Sequence, residues 1–174
     1  RLRSRTNGAI VEYFKDDWTL HPRPGEGSVE PGHQFEWAWL WRRYEETFGM
    51  VRDEVVAQLI ERAVAGVDTE SGRILDEIGE DACARKRSSR SWPHAEAMKL
   101  LAIEVERIVD DRLSLLVRVA RRMLASYCPG HLSGGWIDHL DENDAPLSKV
   151  MPASSLYHMS SGILAIVKLQ RPAA

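Results

Sequence analysis

The chain has 174 residues, the length of one ordinary domain, and its 44% hydrophobic and 28% charged residues are typical of a globular protein. Acidic and basic residues are interspersed, and the net charge of -3 gives no reason to expect a nucleic acid or an anionic membrane as partner. No apolar run approaches the roughly 18 residues of a membrane span, and no signal peptide opens the sequence. Cys83 and Cys128 are too few for a disulfide framework or a zinc site, so a cytoplasmic location is expected.

The first thirty residues predict loops rather than long elements. Asn7-Gly8 is a turn signal, and residues 9–14 with 18–20 predict a short strand pair or a loop edge. Residues 21–32 contain three prolines and three glycines, which predicts an irregular segment. The start at Arg1 without an initiator methionine indicates a piece of a longer protein.

Two helices of different character follow. Residues 33–48 are apolar on nearly every side, which predicts an inner, buried helix. Residues 51–66 place their apolar side chains in one stripe opposite a polar face, which predicts an outer helix.

The second half of the chain repeats this alternation. The segment 68–92 is polar and rich in turn residues, and we expect it to be irregular. Apolar periodicity predicts helices over 94–108 and 111–127. Residues 130–147 predict a strand–turn–strand excursion around an acidic turn.

A last helix is predicted over 153–169, after Pro152, with Ser154 or Ser155 as its N-cap. The five predicted helices alternate between buried and amphipathic and are joined by long loops. This pattern favours an inner and an outer ring of helices. The predicted fold is therefore mostly α, a helical toroid with a few short strands in its loops.

Three loop-to-helix junctions carry candidate chemistry, since each follows or contains a proline and places a titratable side chain at a helix start. They contain His33 with Glu36, Trp92 with Glu96, and His158. The positive end of a helix dipole disfavours imidazolium, so we expect both histidines to be biased toward the neutral form that a general base needs. Glu36 is one helical turn from His33 and is predicted to fix its tautomer.

Each of these features also has an ordinary structural explanation. A histidine at a helix start is more often a cap, and a glutamate there favours any helix. At least two of the three tryptophans Trp37, Trp39 and Trp41 are expected in the core. The chain has no HExxH, CxxC, GxSxG or phosphate-binding glycine motif.

Taken in order, however, the junctions resemble the N-acylglucosamine 2-epimerase superfamily, and its mannose isomerase branch in particular. That superfamily contains N-acylglucosamine 2-epimerases, cellobiose 2-epimerases and mannose-type aldose–ketose isomerases. The matching blocks are Glu30-Pro31-Gly32-His33-Gln34-Phe35-Glu36-Trp37-Ala38-Trp39-Leu40, Trp92-Pro93-x-x-Glu96-Ala97, Gly135-Trp136-Ile137-Asp138 and Leu156-Tyr157-His158.

The resemblance implies an (α/α)6 toroid of the six-hairpin type. Because the family is about twice as long, residues 1–174 are expected to be the C-terminal half of one such domain. The missing half supplies an arginine and other sugar-binding groups in the family. His94 departs from the family pattern, which often has Gln after Trp-Pro, and this change is predicted to affect substrate choice.

The resemblance also implies a reaction. His33 and His158 would be the catalytic acid/base pair, moving a proton at C2 of an open-chain aldose through a cis-enediolate. Glu36 and Glu96 would orient these histidines or hold sugar hydroxyls. Trp92 and Trp37 would be the aromatic residues that bind or orient the substrate. No metal or redox cofactor is implied. The expected ligand is a monosaccharide or disaccharide.

Several functions remain open from the sequence. The first is a mannose-type isomerase or 2-epimerase, with N-acylglucosamine or cellobiose 2-epimerase as the alternative. A second is a glycoside hydrolase using Glu36 and Glu96 as its carboxylate pair. A third is a non-catalytic fragment or binding protein that forms a homo-oligomer or pairs with the missing N-terminal half.

Overall fold

The computed structural model describes residues 3–4, 7–19, 27–107 and 112–169. Within these ranges the fold is mostly helical, with short strands in the connections, as predicted. In chain order the elements are β1 (Ser28–Val29), α1 (Pro31–Phe48), α2 (Asp53–Val64), β2 (Glu77–Gly79), β3 (Ala84–Lys86), β4 (Ser89–Arg90), α3 (Ser91–Arg107), α4 (Arg112–Arg122), a π-helical turn (Met123–Tyr127), a 3-10 turn (Gly130–Leu132), β5 (His139–Leu140) and α5 (Ala153–Leu169).

The helices form two layers. Helix α3 packs against both α1 and α5, and these three make the inner layer. Helix α2 packs on α1 and α4 packs on α3, which makes the outer layer. The predicted alternation of inner and outer helices is therefore confirmed.

The core lies between the layers, around α3. Leu100 and Leu101 of α3 are fully buried with Phe35 of α1 and Leu59 of α2, and each such side chain contributes about 1.5–3 kcal/mol by leaving water. Helices α3 and α5 approach closely because α5 has a glycine at the contact. A Cβ atom on Gly162 would lie 2.9 Å from the Cα atom of Ala95.

A buried ion network ties three helices together at the far end of α1. The Arg42 side chain is 4% exposed, and its Nε donates to Glu104 of α3 at 2.6 Å. Its Nη1 donates to Glu45 at 2.8 Å and to Asp53 of α2 at 2.5 Å. Burial alone would lower the pKa of Arg42, but these carboxylates raise it. Removing one member of such a network leaves an uncompensated buried charge.

The loop strands correct two expectations. Residues 68–92 are only partly irregular, because β2 pairs antiparallel with β1 and β3, and α3 begins at Ser91. Residues 21–32 also include regular structure, namely β1 and the first turn of α1, while residues 20–26 lie outside the described ranges. Proline is compatible with the first helical position, where its missing N–H is not needed, so Pro31 starts α1 rather than preventing it.

The structure also bears on three smaller expectations. Residues 9–14 form an edge loop, one of the two predicted forms, and Ile10 makes a bridge to Arg3, while residue 20 of the predicted partner segment lies outside the described ranges. The excursion after α4 contains β5, which pairs with β4, and an isolated bridge from Leu140 to Pro146 across the acidic turn. Neither Ser154 nor Ser155 is an N-cap, because α5 already begins at Ala153.

The prediction that α1 is buried on all sides is wrong. One side of α1 and of α5 is apolar and yet exposed in the described structure. The exposed side chains are Trp37, Leu40, Tyr44 and Phe48 on α1 and Leu156, Tyr157, Ile163, Leu164 and Val167 on α5. The apolar residues on this side of each helix are not covered by any described residue. None of the described helices combines the length and apolarity needed to cross a membrane.

Candidate active site

His33 lies in the first turn of α1 and is held by carboxylates from the preceding segment. Its Nδ1 is 2.9 Å from Oε2 of Glu12, in the edge loop, and 3.5 Å from Oε2 of Glu30. Because an ionised carboxylate only accepts hydrogen bonds, the hydrogen is placed on Nδ1. Nε2 is then the ring nitrogen available for proton transfer.

The pKa of His33 is shifted in the direction opposite to the one expected from the helix dipole, which favours the neutral imidazole. Burial alone would lower its pKa, but the hydrogen bond to Glu12 and the charges of Glu12, Glu30 and Glu36 outweigh burial and raise it. Close carboxylates thus dominate over the partial charge of a helix end. Burial also raises the pKa of Glu30. His33 is therefore suited to the role of an acid.

His158 lies in the second turn of α5 and is held from α3. Its Nδ1 is 2.5 Å from Oε1 of Glu96, a fully buried carboxylate. The other carboxylate oxygen of Glu96 is 2.6 Å from Nζ of Lys99. The result is a chain of contacts, with an ion pair from the ammonium to the carboxylate and a hydrogen bond from the carboxylate to the imidazole.

Trp92 brings the two histidines to one place. The centroid of its ring system is 5.0 Å from that of His33 and 5.5 Å from that of His158. Gly32 makes this packing possible, because a Cβ atom there would lie 2.6 Å from Cη2 of Trp92. The Pro-Gly pair before His33 is thus a packing contact as well as a helix start.

Glu36 lies elsewhere than predicted. Glu12, not Glu36, binds Nδ1 of His33. The carboxylate of Glu36 instead faces Glu96 and His158, with one potential ligand atom from each lying within 4.8 Å of the others. Three residues of separation placed Glu36 and His33 on neighbouring parts of a helix surface, but the orientation of α1 directs Glu36 toward α3 and α5.

The remaining aromatic candidates are divided between surface and core. Trp37 is 39% exposed and lies one turn beyond His33, and among the described residues its ring is not stacked on either histidine. Trp39 and Trp41 pack against the core, as expected for at least two members of this group.

His94 is fully buried behind the site and does not line it. Its Nε2 accepts from the Ile74 N–H at 3.2 Å, and its Nδ1 lies 2.8 Å from the Arg90 carbonyl oxygen. Burial lowers its pKa to about 3, so it is neutral. The expectation that this residue adjusts substrate choice is replaced by a structural role, the positioning of β4 and the segment around Ile74.

Among the residues that the structure describes, two groups of side chains have the donor types of a metal site. One consists of Glu12, Glu30 and His33, and the other of Glu36, Glu96 and His158. The second group already has a cation in contact, because the ammonium of Lys99 binds Glu96. A divalent ion would have to compete with that ammonium.

The burial and the contacts of Glu96 disfavour a glycoside hydrolase. Paired carboxylates in those enzymes stand about 5–10 Å apart across the sugar. Oxygen atoms of Glu36 and Glu96 are within 4.8 Å, and Glu96 is already bound to His158 and Lys99. These carboxylates support a histidine rather than flank a glycosidic bond.

Sequence reasoning missed three contributors to the site. Glu12 lies in a loop 21 residues before His33, and no local pattern signals the contact. Glu30 was part of the quoted block without a role. Lys99 could have been noticed from its spacing, since it follows Glu96 by three residues on an otherwise apolar helix face.

Comparison with known proteins shows the family of the chain. The profile of the N-acylglucosamine 2-epimerase (GlcNAc 2-epimerase) family matches residues 1–162. The chain belongs to this family. It is 30% identical over 174 aligned positions to a mannose-6-phosphate isomerase of Rhizobium meliloti (strain 1021), covering 94% of this chain and 43% of that protein.

Solved structures share the fold of the chain. A D-mannose isomerase superposes with a TM-score of 0.80 at 19% identity, covering 94% of this chain and 45% of that one. The cellobiose 2-epimerase of Spirochaeta thermophila DSM 6192 gives a TM-score of 0.70 at 21% identity, covering 95% and 43%. The fold of these epimerase-family relatives is the (α/α)6 toroid, and the chain spans less than half the length of each.

Proposed function

We propose that the protein containing this chain is a sugar isomerase or 2-epimerase that acts by proton transfer between His33 and His158. The observation that carries the proposal is the placement of both imidazoles against Trp92, each with a carboxylate at Nδ1. This arrangement fixes both tautomers and leaves both Nε2 atoms for substrate. Membership in the family supports the same reaction class.

In the proposed reaction, one imidazole removes the proton from C2 of an open-chain aldose. The bonding electrons form the C1–C2 double bond of a cis-enediolate, and the C1 carbonyl oxygen takes the charge. Return of a proton to C1, with transfer of the O2 proton to O1, gives the ketose, whereas return to the opposite face of C2, with the C1 carbonyl re-formed, gives the epimer. His158 is the better base, because the carboxylates around His33 favour its protonated form.

The charge of the site favours an uncharged sugar over a sugar phosphate. Four carboxylates belong to it, those of Glu12, Glu30, Glu36 and Glu96. Apart from the two imidazoles, the cation in contact with them in the described structure is Lys99, already paired with Glu96. A phosphate dianion would meet net negative charge. We therefore propose a free aldose of the mannose type, with N-acylglucosamine or cellobiose as the alternative substrate of a 2-epimerase.

The test uses the protein expressed from its complete coding sequence. Mannose, mannose 6-phosphate, N-acetylglucosamine and cellobiose are each incubated in D2O, and NMR follows exchange at C2 and formation of a ketose or epimer. We expect exchange with an uncharged sugar, and loss of about 10²–10⁴-fold in His158→Ala and His33→Ala. His131→Ala, at an exposed histidine, is the control. Unchanged exchange in His158→Ala, or turnover of mannose 6-phosphate alone, contradicts the proposal.

We further propose that the exposed apolar sides of α1 and α5 are covered by the remaining helices of the toroid. The support is that the toroidal relatives are more than twice as long as this chain. Sedimentation of the isolated chain would show self-association through these faces. A compact 19.7 kDa monomer would contradict this proposal. A non-catalytic binding role is the outcome if the complete protein exchanges no sugar proton.

A cytoplasmic location completes the proposal. Its support is that Cys83 and Cys128 are both unpaired in the structure. Recovery of the protein in a periplasmic or secreted fraction would contradict it.

A further inference from the structure

Lys99 is a buried lysine to which the proposed reaction assigns no role. It lies in the middle of α3 with 2% exposure, although lysine is almost never fully buried unless paired. Its ammonium is 2.6 Å from Oε2 of Glu96. It also lies 4.1 Å from the ring centroid of Trp39 and 5.1 Å from that of Tyr157. The contact with Glu96 is an ion pair, and among the described residues Nζ has no partner in hydrogen-bond geometry.

The aromatic rings explain how the ammonium is tolerated there. The face of an aromatic ring carries partial negative charge and attracts a cation, most strongly when water is excluded. Trp39 comes from α1 and Tyr157 from α5, so the three inner helices together enclose the ammonium. Its single carboxylate partner is also the partner of His158.

The charged and titratable groups near His158 come from all three inner helices. Glu36 is on α1, Glu96 and Lys99 are on α3, and Tyr157 adjoins His158 on α5. Without Lys99, two carboxylates and no cation would surround the imidazole. That is the situation of His33, where Glu12 and Glu30 have no lysine or arginine ion-pair partner in the described ranges.

One difference between the two histidines is the cation behind the carboxylate of His158. At His33 the unbalanced carboxylates raise the pKa. At His158 the ammonium neutralises Glu96, and the carboxylate keeps its hydrogen bond to Nδ1 without adding net charge. A base must be neutral before it accepts the C2 proton.

We propose that Lys99 is a positioning residue for His158: its ammonium balances the charge of Glu96, so that Glu96 orients the imidazole without holding it protonated. This inference rests on the proposed function for its catalytic meaning. Lys99 does not touch the substrate in this scheme, and its positive charge offsets the negative charge that Glu96 places beside His158.

The experiment removes the charge of Lys99 in the complete protein. In Lys99→Met, the loss of the ammonium stabilises the imidazolium of His158. The acidic limb of the pH profile of kcat/KM should then move up by about one pH unit, and kcat should fall more than KM changes. Lys99→Arg retains the charge and should restore the limb to its wild-type position. Lys168→Met, at an exposed lysine of α5, is the matched control and should leave the profile unchanged.

A second pair of variants covers the case in which Lys99→Met does not fold. Glu96→Gln and the double variant Glu96→Gln/Lys99→Met are compared, since the double variant buries no unpaired charge. Adding Lys99→Met should again move the acidic limb to higher pH. An unmoved limb in both backgrounds, or a limb moved equally by Lys168→Met, overturns the proposal.

A measurement that does not depend on catalysis tests this proposal separately from the proposed function. The ring-nitrogen NMR shifts of His158 are followed against pH in the wild type and in the Lys99 variants. A titration midpoint that does not rise in Lys99→Met or in the double variant relative to its parent contradicts the role of Lys99. Absence of sugar-proton exchange in the wild type contradicts the proposed function instead, whatever the titration shows.

Discussion

The imidazole of His158 and the carboxylate of Glu96 meet at 2.5 Å although 62 residues separate them in the chain. Helix α3 supplies the carboxylate and α5 the imidazole, and the close approach of Gly162 to Ala95 brings these helices together. Because Glu96 is fully buried, water does not compete for this hydrogen bond. The contact makes Glu96 the group that orients His158.

Glu96→Gln is expected to lower kcat by about 10–100-fold, the usual loss when a partner that orients an imidazole is removed. The amide retains the shape and can still accept from Nδ1–H, but it no longer carries the charge. Exchange of the C2 proton measures the effect. The control is Glu106→Gln, at an exposed position of the same helix. Equal kcat in wild type and Glu96→Gln contradicts the assignment.

Glu12→Gln is expected to lower the pKa of His33, because burial, which lowers it, would no longer be outweighed by the carboxylate. If protonated His33 is the acid, the basic limb of the pH profile of kcat/KM moves to lower pH. The same pair also makes the free energy of unfolding of the wild type depend on pH. Since the folded pKa is raised, the stabilisation from this pair is fully present below about pH 6.5 and is lost as pH rises through the pKa of His33.

The matching control is Glu54→Gln, an exposed glutamate at the start of α2. It should leave the basic limb in place. A basic limb that does not move in Glu12→Gln, or that moves to higher pH, shows that His33 is not the group titrating there.

Gly32→Ala tests the packing of Trp92 against α1. The new Cβ atom would lie 2.6 Å from Cη2 of Trp92 and 2.9 Å from Cβ of Pro93, so one of them must move. Overpacking of this kind costs about 1–3 kcal/mol, which urea unfolding measures. Proton exchange should also slow, because Trp92 contacts both histidines. Gly130→Ala, where a Cβ atom meets nothing within 4 Å, should have little effect on either measurement.

His94 predicts a pH dependence of stability. Its folded pKa is about 3, below the ordinary value of 6.5, so the unfolded chain binds the proton first. The stabilisation is fully present above about pH 6.5 and is lost as pH falls toward 3, at up to about 1.4 kcal/mol per pH unit. In His94→Gln this contribution to the slope should be absent, because the amide does not titrate.

Urea unfolding at several pH values compares the two slopes. The amide of His94→Gln can accept from the Ile74 N–H and donate to the Arg90 carbonyl, so folding at neutral pH should be retained. His131→Gln, an exposed histidine, should keep the wild-type slope. The same slope in His94→Gln and wild type would contradict a buried neutral His94.

The helices of the structure were largely predictable because apolar periodicity is a local property. The last helix was predicted over 153–169 and is found there, and the outer helix α2 lies within the predicted 51–66. The short strands β2 to β4 were not predictable. Strands of two or three residues contain too few side chains for an alternating pattern, and their pairing joins distant segments.

The sequence also placed Trp92, His33 and His158 at loop-to-helix junctions, and the family resemblance rested on those junctions. It did not predict which carboxylate serves which histidine. Glu36 was assigned to His33 by spacing, but spacing on one helix does not determine how that helix is rotated against its neighbours. The edge loop supplies Glu12 to His33, and α3 supplies Glu96 to His158.

By itself, the sequence determined the helical class, the order of inner and outer helices and the family, since these depend on composition, periodicity and short motifs. Only the tertiary structure decided the charge environment of each histidine. His33 is surrounded by carboxylates, whereas Glu96 beside His158 is balanced by Lys99. Electrostatic energies depend on distances of a few ångströms between groups far apart in the chain, and folding is what sets those distances.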